Sequence, residues 1–323
     1  MKLTENMLCR VCSLKQCRDN LIENAKKNGV NFYQIQEYES ICFITDIIKE
    51  DFYVKYLDEG CHADLAIKPK NIEENLWCRI QMKSTKQSIA DEKYAYKFSV
   101  HKNYMDMILL CVCVKDDKIW SVDPDLVKDL AGFQIVEKDN TKYFKFKINV
   151  DDLSEHLFKK YESLPKFTLD IINIPITDLM KQEQEFRKLR EQKLDFIKFE
   201  RPHMNCMVYD FKINNYKIQE KVISNNNHVY LHKSDGANKK KAYNRGDNDF
   251  YWIHLKDKRY FYVIPEKILI DHEFITTETQ IGKSGLIIHA SPYYKDPTKN
   301  KWINDYIYDY ENLNKEKLIE LFS

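Results

Sequence analysis

Short apolar runs with period-2 alternation recur along the chain between polar turns, the pattern of half-buried β-strands. In the first half it marks "HADLAIKP", "NLWCRIQMKST" and "YFKFKINV" as strands. It also marks "MILLCVCVKDDKIWSVDP" as a hairpin, two apolar runs around Lys115-Asp116-Asp117-Lys118. Residues 15–50 carry mixed helical spacings instead, with Ile35, Tyr38, Cys42, Ile44 and Ile47 in one segment. "DLSEHLFKKYESL" predicts a further helix capped by Asp152. In the second half "CMVYDFKI", "YKIQEKVIS", "NHVYLHK", "FYWIHLKDKRYFYVIP" and "GLIIHAS" read as strands. The last helix is "NLNKEKLIELF", with Asn314 or Asn312 as cap.

Between the halves the texture changes. "ITDLMKQEQEFRKLREQKLDFIKFERP" follows Pro175, offers Thr177 or Asp178 as N-cap and stops before Pro202. Leu179, Phe186, Leu189, Leu194 and Ile197 form only a thin apolar stripe, which predicts a helix bracing two bodies. Arg187, Lys188, Arg190 and Lys193 would lie on its solvated face or along a phosphate backbone. The expected fold class is therefore α/β: two bodies, each a small mixed sheet flanked by helices, joined by a charged helix. The boundaries that follow are 1–175 for the first body with its N-terminal helical region, 176–201 for the connecting helix and 202–323 for the second body.

The two halves share an order of residues. Asp64 in an apolar run is followed by Ile80-Gln81-Met82-Lys83, and Asp210 by Ile218-Gln219-Glu220-Lys221. The Asp-to-Gln gap is 81 − 64 = 17 in the first copy and 219 − 210 = 9 in the second. The shorter gap predicts a tight hairpin through Asn214-Asn215; the longer one carries "KPKNIEEN". Downstream, Asp106 with Pro124 and Asp249 with Pro265 bracket two similar hairpins, the second two residues shorter on that alignment. Both aspartates are expected to cap strand starts. A short pattern met once says little, but two copies in one order predict a structural repeat.

Composition narrows the class without naming a chemistry. Of 323 residues, 43% are hydrophobic and 31% charged, which suits a soluble globular protein. Lys+Arg 51 against Asp+Glu 50 leaves a net charge of +1, so any basic surface must be local. Nine cysteines, an odd number in apolar settings such as "LLCVCV", predict reduced, buried thiols in an intracellular protein, cytoplasmic or nuclear. No segment approaches the roughly 20 apolar residues of a membrane span. Cys9, Cys12 and Cys17 invite a zinc reading, but a structural site needs four ligands and no second pair is evident, so zinc is not expected there.

An Asp ending one strand and a Gln-x-Lys on the next place three polar side chains at one sheet edge. Carboxylate and amide oxygens suit Mg²⁺, and a lysine on the same face can orient water and stabilise developing charge. This arrangement resembles the PD-(D/E)XK nuclease superfamily of restriction enzymes, resolvases and some homing endonucleases, here in two tandem copies. The resemblance implies that Asp64 and Gln81 hold Mg²⁺ or Mn²⁺ with Lys83 serving the water, and that Asp210, Gln219 and Lys221 repeat this. Two departures stand out: Gln replaces the usual carboxylate in both copies, and Ala63 and Tyr209 stand where a proline is usual. Some superfamily members with Gln add a helix glutamate; Glu37 or Glu39 fits the first body, and Glu200 is the nearest candidate in the second.

The expected activity is metal-dependent endonucleolytic hydrolysis of DNA, with RNA also open, by a monomer or homodimer. Cuts in both strands by one chain would follow if both bodies act. The rival reading is an inactive nucleic-acid-binding protein that retains the nuclease fold; a third is a protein-interaction module. Local contacts are expected from Lys86 and from Lys233, Lys239, Lys240, Lys241 and Arg245 in "HKSDGANKKKAYNRGDNDF", where Tyr243 would stack on a base.

Overall fold

A computed structural model describes residues 19–20, 22–23, 25–26, 30, 32–58, 60–85, 95–100, 104–137, 141–202, 207–223, 228–234, 240–288 and 301–323. The chain divides into two compact units, residues 1–177 and 178–323. Both are mixed α/β, as the alternation of strand and helix patterns predicts. Among the described residues, no helix is long and apolar enough to cross a membrane.

The first unit opens with α1 (Phe32–Ile48), whose Ile35, Tyr38, Ile41, Ile44 and Ile48 recur at helical spacing and are buried. Strands β1 (Phe52–Tyr56), β2 (Leu65–Pro69), β3 (Cys78–Ser84), β4 (Ala95–Ser99), β5 (Met107–Cys113), β6 (Lys118–Val122), β7 (Gly132–Val136) and β8 (Lys147–Ile148) follow. Helices α2 (Leu153–Ser163) and α3 (Leu169–Ile172) complete it. The main sheet runs β1-β2-β3-β5-β6-β8, with β3 and β5 parallel and their neighbours antiparallel. β5 is apolar throughout and buried throughout, as a central strand covered on both faces must be. β4 and β7 form a separate ribbon, where a Cβ on Gly132 would lie 2.9 Å from the Phe98 carbonyl oxygen, so only glycine fits.

The second unit begins with α4 (Asp178–Lys193), the helix expected to connect two bodies. Strands β9 (Phe211–Ile213), β10 (Tyr216–Val222), β11 (His228–Tyr230), β12 (His232–Ser234), β13 (Lys240–Ala242), β14 (Phe250–His254) and β15 (Tyr260–Pro265) follow. Then come α5 (Glu266–Asp271), β16 (Gly285–Ile287), β17 (Ile307–Asp309) and α6 (Lys315–Glu320). Its main sheet runs β17-β15-β14-β10-β9, with β10 parallel to β14. The β9–β10 turn is the two-residue Asn214-Asn215 connection expected from the short gap, with Asn214 at φ 54°. Asn214 tolerates this left-handed conformation better than most residues and spends its side-chain amide on the Phe322 carbonyl at 2.7 Å. Asn314, not Asn312, caps α6, accepting from the Lys317 N–H at 2.9 Å.

Four strands of each unit follow one plan, β2-β3-β5-β6 and β9-β10-β14-β15, antiparallel, parallel, antiparallel. The register agrees as well. Gln81 pairs with Leu109 and Leu109 with Val122; Gln219 pairs with Tyr251 and Tyr251 with Ile264. This register corrects the downstream alignment by one residue, because Asp106 then corresponds to Asn248 rather than Asp249. The hairpins are also of equal length, Val112 facing Ile119 and His254 facing Phe261 (119 − 112 and 261 − 254, both 7). The apparent two-residue difference came from anchoring on residues that do not correspond: Asp106 aligns with Asn248 and Pro124 with Glu266.

Candidate active site

In the first unit the turn after β1 brings Asp64 to the start of β2, and its N–H bonds the Ile80 carbonyl at 3.0 Å. The Asp64 carboxylate faces β3. Its Oδ2 accepts from the Gln81 side-chain amide and from the Met82 backbone N–H at 2.7 Å. The Gln81 nitrogen also approaches the Met82 carbonyl at 3.4 Å. Both partners are acceptors, so the amide must present its NH₂ here. Lys83, two residues on and on the same face, places its ammonium 5.5 Å from the centre of the buried Tyr104 ring, within cation–π range.

Helix α1 supplies a second carboxylate. Glu37 stands at the solvent-facing rim, yet surrounding protein raises its pKa from 4.5 to about 7. Desolvation is the first cause, the Asp64 charge adds to it, and Lys83 opposes both. Of the two helix glutamates expected, Glu37 is the one whose charge couples to Asp64 and Lys83. Glu39, two positions along, points roughly 200° around the helix and does not share that face.

The second unit repeats these bonds atom for atom. Asp210 N–H bonds the Ile218 carbonyl at 2.9 Å, and Asp210 Oδ2 accepts from the Gln219 amide and from the Glu220 N–H at 2.7 Å. The Gln219 nitrogen meets the Glu220 carbonyl at 3.2 Å. The Lys221 ammonium lies 5.7 Å from the centre of the Tyr243 ring. Desolvation disfavours that ammonium, but the Tyr243 hydroxyl and Asp210 outweigh it and raise its pKa. Burial pushes the Asp210 carboxyl up, against the pull of Lys221.

The helix carboxylate of this unit is Glu183, not Glu200. Burial raises Glu183, Lys221 opposes the shift and Asp210 adds to it, the same relations that Glu37 has with Lys83 and Asp64. Glu200 instead pairs with Lys198 at 2.5 Å on the surface and bridges to Lys212. A signal for Glu183 was present in the sequence. Gln36-Glu37-x-Glu39 and Gln182-Glu183-x-Glu185 precede Asp64 and Asp210 by the same distance (64 − 37 and 210 − 183, both 27). It was missed because the second copy is embedded in a run of charges read as a connector.

Other expected residues fall differently. Arg190 is not on a solvated face: it is 1% exposed, and its guanidinium reaches Glu220 Oε1 at 2.6 Å. Tyr243 is 4% exposed beneath Lys221 and so is not a base-stacking loop residue; Tyr230, on β11, is 52% exposed. Lys233 is tied to Asp247 at 2.7 Å, while Lys241 and Arg245 are exposed. Lys240 lies in β13, paired through its backbone with Ser234. Asp249 caps its strand as expected, accepting from the Lys217 N–H at 2.7 Å, and the charge of Asp106 acts on Arg79. Lys86, Lys239, Cys9, Cys12 and Cys17 lie outside the described residues. Of the described cysteines, Cys42, Cys78, Cys111 and Cys113 are buried.

Each unit thus gathers two carboxylates, one amide and one lysine from a helix and two adjacent strands. Among the described residues, no three His, Cys, Asp or Glu side chains are grouped to hold a metal. No protein-family profile and no curated protein matches the chain. Among solved structures it is similar to MepB, at 14% identity over 38% of this chain and 95% of that one, with a TM-score of 0.30. It is also similar to the bacterial homing endonuclease I-Ssp6803I, at 12% identity over 41% of this chain and 94% of that one, with a TM-score of 0.30.

Proposed function

We propose that the chain is a metal-dependent endonuclease that hydrolyses phosphodiester bonds in DNA, with one site in each unit. The observation that carries this reading is the bonded arrangement of Asp64, Gln81 and Lys83 repeated in Asp210, Gln219 and Lys221, with the charges of Glu37 and Glu183 coupled to it. Burial raises each helix glutamate and the neighbouring Asp adds to the shift, so a bound cation would relieve both. The donors, two carboxylates and an amide oxygen, are hard ligands of the kind Mg²⁺ and Mn²⁺ take. Glu37, Asp64 and Gln81 would hold the ion in the first unit, and Glu183, Asp210 and Gln219 in the second. Binding there supplies an acidified water and neutralises charge on the phosphate.

The residues of the chain do the rest. Lys83 and Lys221 stand two residues past the amide, where an ammonium can orient an attacking water and stabilise the charge growing on phosphate oxygens. The Tyr104 and Tyr243 rings lie within cation–π range of those ammonium groups. Lys241 and Arg245 offer exposed cations for the nucleic-acid backbone. The inactive-binder reading draws on one observation: each Gln amide donates into its Asp, a bond that stands without an ion.

Plasmid cleavage in Mg²⁺ or Mn²⁺ separates the readings. The parent is expected to linearise, Lys83→Ala and Lys221→Ala each to nick, and the double change to do neither. Binding of DNA with no cleavage under any divalent metal would leave the binder reading in place.

A further inference from the structure

The middle residue of each Gln-x-Lys differs in a way the proposed chemistry does not use. In the first unit it is Met82, 1% exposed. In the second it is Glu220, whose single Oε1 meets Arg190 Nη1 at 2.6 Å and His254 Nε2 at 2.8 Å. His254 is fully buried, and its Nδ1 lies 3.5 Å from the Tyr310 hydroxyl. Since Glu220 can only accept, Nε2 carries the imidazole proton and Nδ1 accepts from Tyr310.

The cluster links the two elements that carry the site. Glu183, Phe186 and Arg190 lie three and seven residues apart along α4 and so share one helix face. Phe186 stacks on His254 at 4.8 Å, and the Arg190 guanidinium lies 3.7 Å from the Phe211 ring centre and 4.5 Å from that of Phe199. Glu220 also donates its backbone N–H to Asp210. By the shared strand register and, for the helix, the alignment of Glu183 with Glu37, Arg190, Glu220 and His254 correspond to Ile44, Met82 and Val112, all buried and apolar. At these three positions one unit sets buried apolar side chains, and the other sets a buried charge cluster.

Resting on the functional reading above, we propose that Glu220 is a positioning residue of the second site, holding α4, and with it Glu183, against the strand that bears Gln219 and Lys221. A buried carboxylate with two partners on one oxygen fixes distance and rotation, where apolar packing tolerates slippage.

The test uses the full chain carrying Asp64→Asn to silence the first site, with Mn²⁺ binding followed by electron paramagnetic resonance. Glu220→Gln is expected to weaken Mn²⁺ binding about tenfold, the range for loss of a residue that orients a metal ligand. Leu269→Ala, in a different core cluster, serves as a control for lost stability and is expected to stay within about twofold. The triple change Arg190→Ile, Glu220→Met, His254→Val, which copies the first unit, is expected to restore most of the affinity. Unchanged binding in a folded Glu220→Gln protein, or equal weakening by Leu269→Ala, overturns the proposal. If the parent binds no Mn²⁺ and cuts nothing, the functional reading fails instead. Hydrogen exchange then decides the positioning role: faster exchange at residues 180–187 in Glu220→Gln upholds it, and unchanged exchange overturns it.

Discussion

Gln219 donates its side-chain amide to the carboxylate of Asp210, and the neighbouring N–H of Glu220 donates to the same oxygen. Gln81 and Asp64 share the same bond in the first unit, so the amide stands where a carboxylate would repel Asp64. Gln81→Glu puts a third carboxyl group beside Asp64 and Glu37. Without divalent cation it is expected to lower stability by about 1–3 kcal/mol, the cost of replacing a buried donor by an unpaired acceptor. Adding Mg²⁺ is expected to raise its melting temperature more than that of the parent. A melting temperature indifferent to Mg²⁺ in both proteins would count against the metal reading.

Arg190 and Glu220 form a pair that is costly to break on one side. Arg190→Met leaves a buried carboxylate without its main partner and is expected to cost about 3–5 kcal/mol in urea unfolding. Changing Arg190, Glu220 and His254 together to the apolar residues of the first unit removes the charge as well as its partner. That protein is expected to recover most of the loss. A triple variant less stable than Arg190→Met would show that the two units do not dock their helices equivalently.

The two tyrosines of the basic region should behave oppositely. Tyr243→Ala empties a buried position and is expected to cost about 3–5 kcal/mol. Tyr230→Ala, on the surface, is expected to change stability by no more than about 0.5 kcal/mol. Urea denaturation of both variants measures the contrast, and similar losses would contradict the burial described here.

Asp309 gives a pH dependence remote from either site. Its hydrogen bonds from Arg259, 2.8 Å from Nη2 and 3.1 Å from Nε, depress its pKa from 3.8 to about 2, against a smaller desolvation effect. The folded state therefore releases this proton more readily than the unfolded state. Its stabilising contribution is complete above pH 3.8 and is lost as pH falls through about 2. Because the pair is partly exposed, Asp309→Asn is expected to cost only about 0.5–1 kcal/mol at pH 7. The parent and variant melting temperatures should converge below about pH 2; a gap that persists there would refute the linkage.

Much of the architecture was legible in the sequence because strand patterns are local. Short apolar runs between polar turns placed β3, β5, β6, β10, β14 and β15, and the Asn214-Asn215 gap located a two-residue turn. Period-2 alternation put Gln81 beside Lys83 and Gln219 beside Lys221 on one face, since that relation needs only an extended backbone. Tertiary structure decided what depends on distant partners. It drew α4 into the second unit and set Glu183 there in place of Glu200. Arg190 and Tyr243 were read as surface residues because charge and hydroxyl mark solvent on average. Glu220 and Lys221, supplied by another strand, made their burial affordable in free energy. The correspondence of Asp106 with Asn248 was likewise invisible, because strand register is settled by hydrogen bonds between segments that the linear order does not bring together.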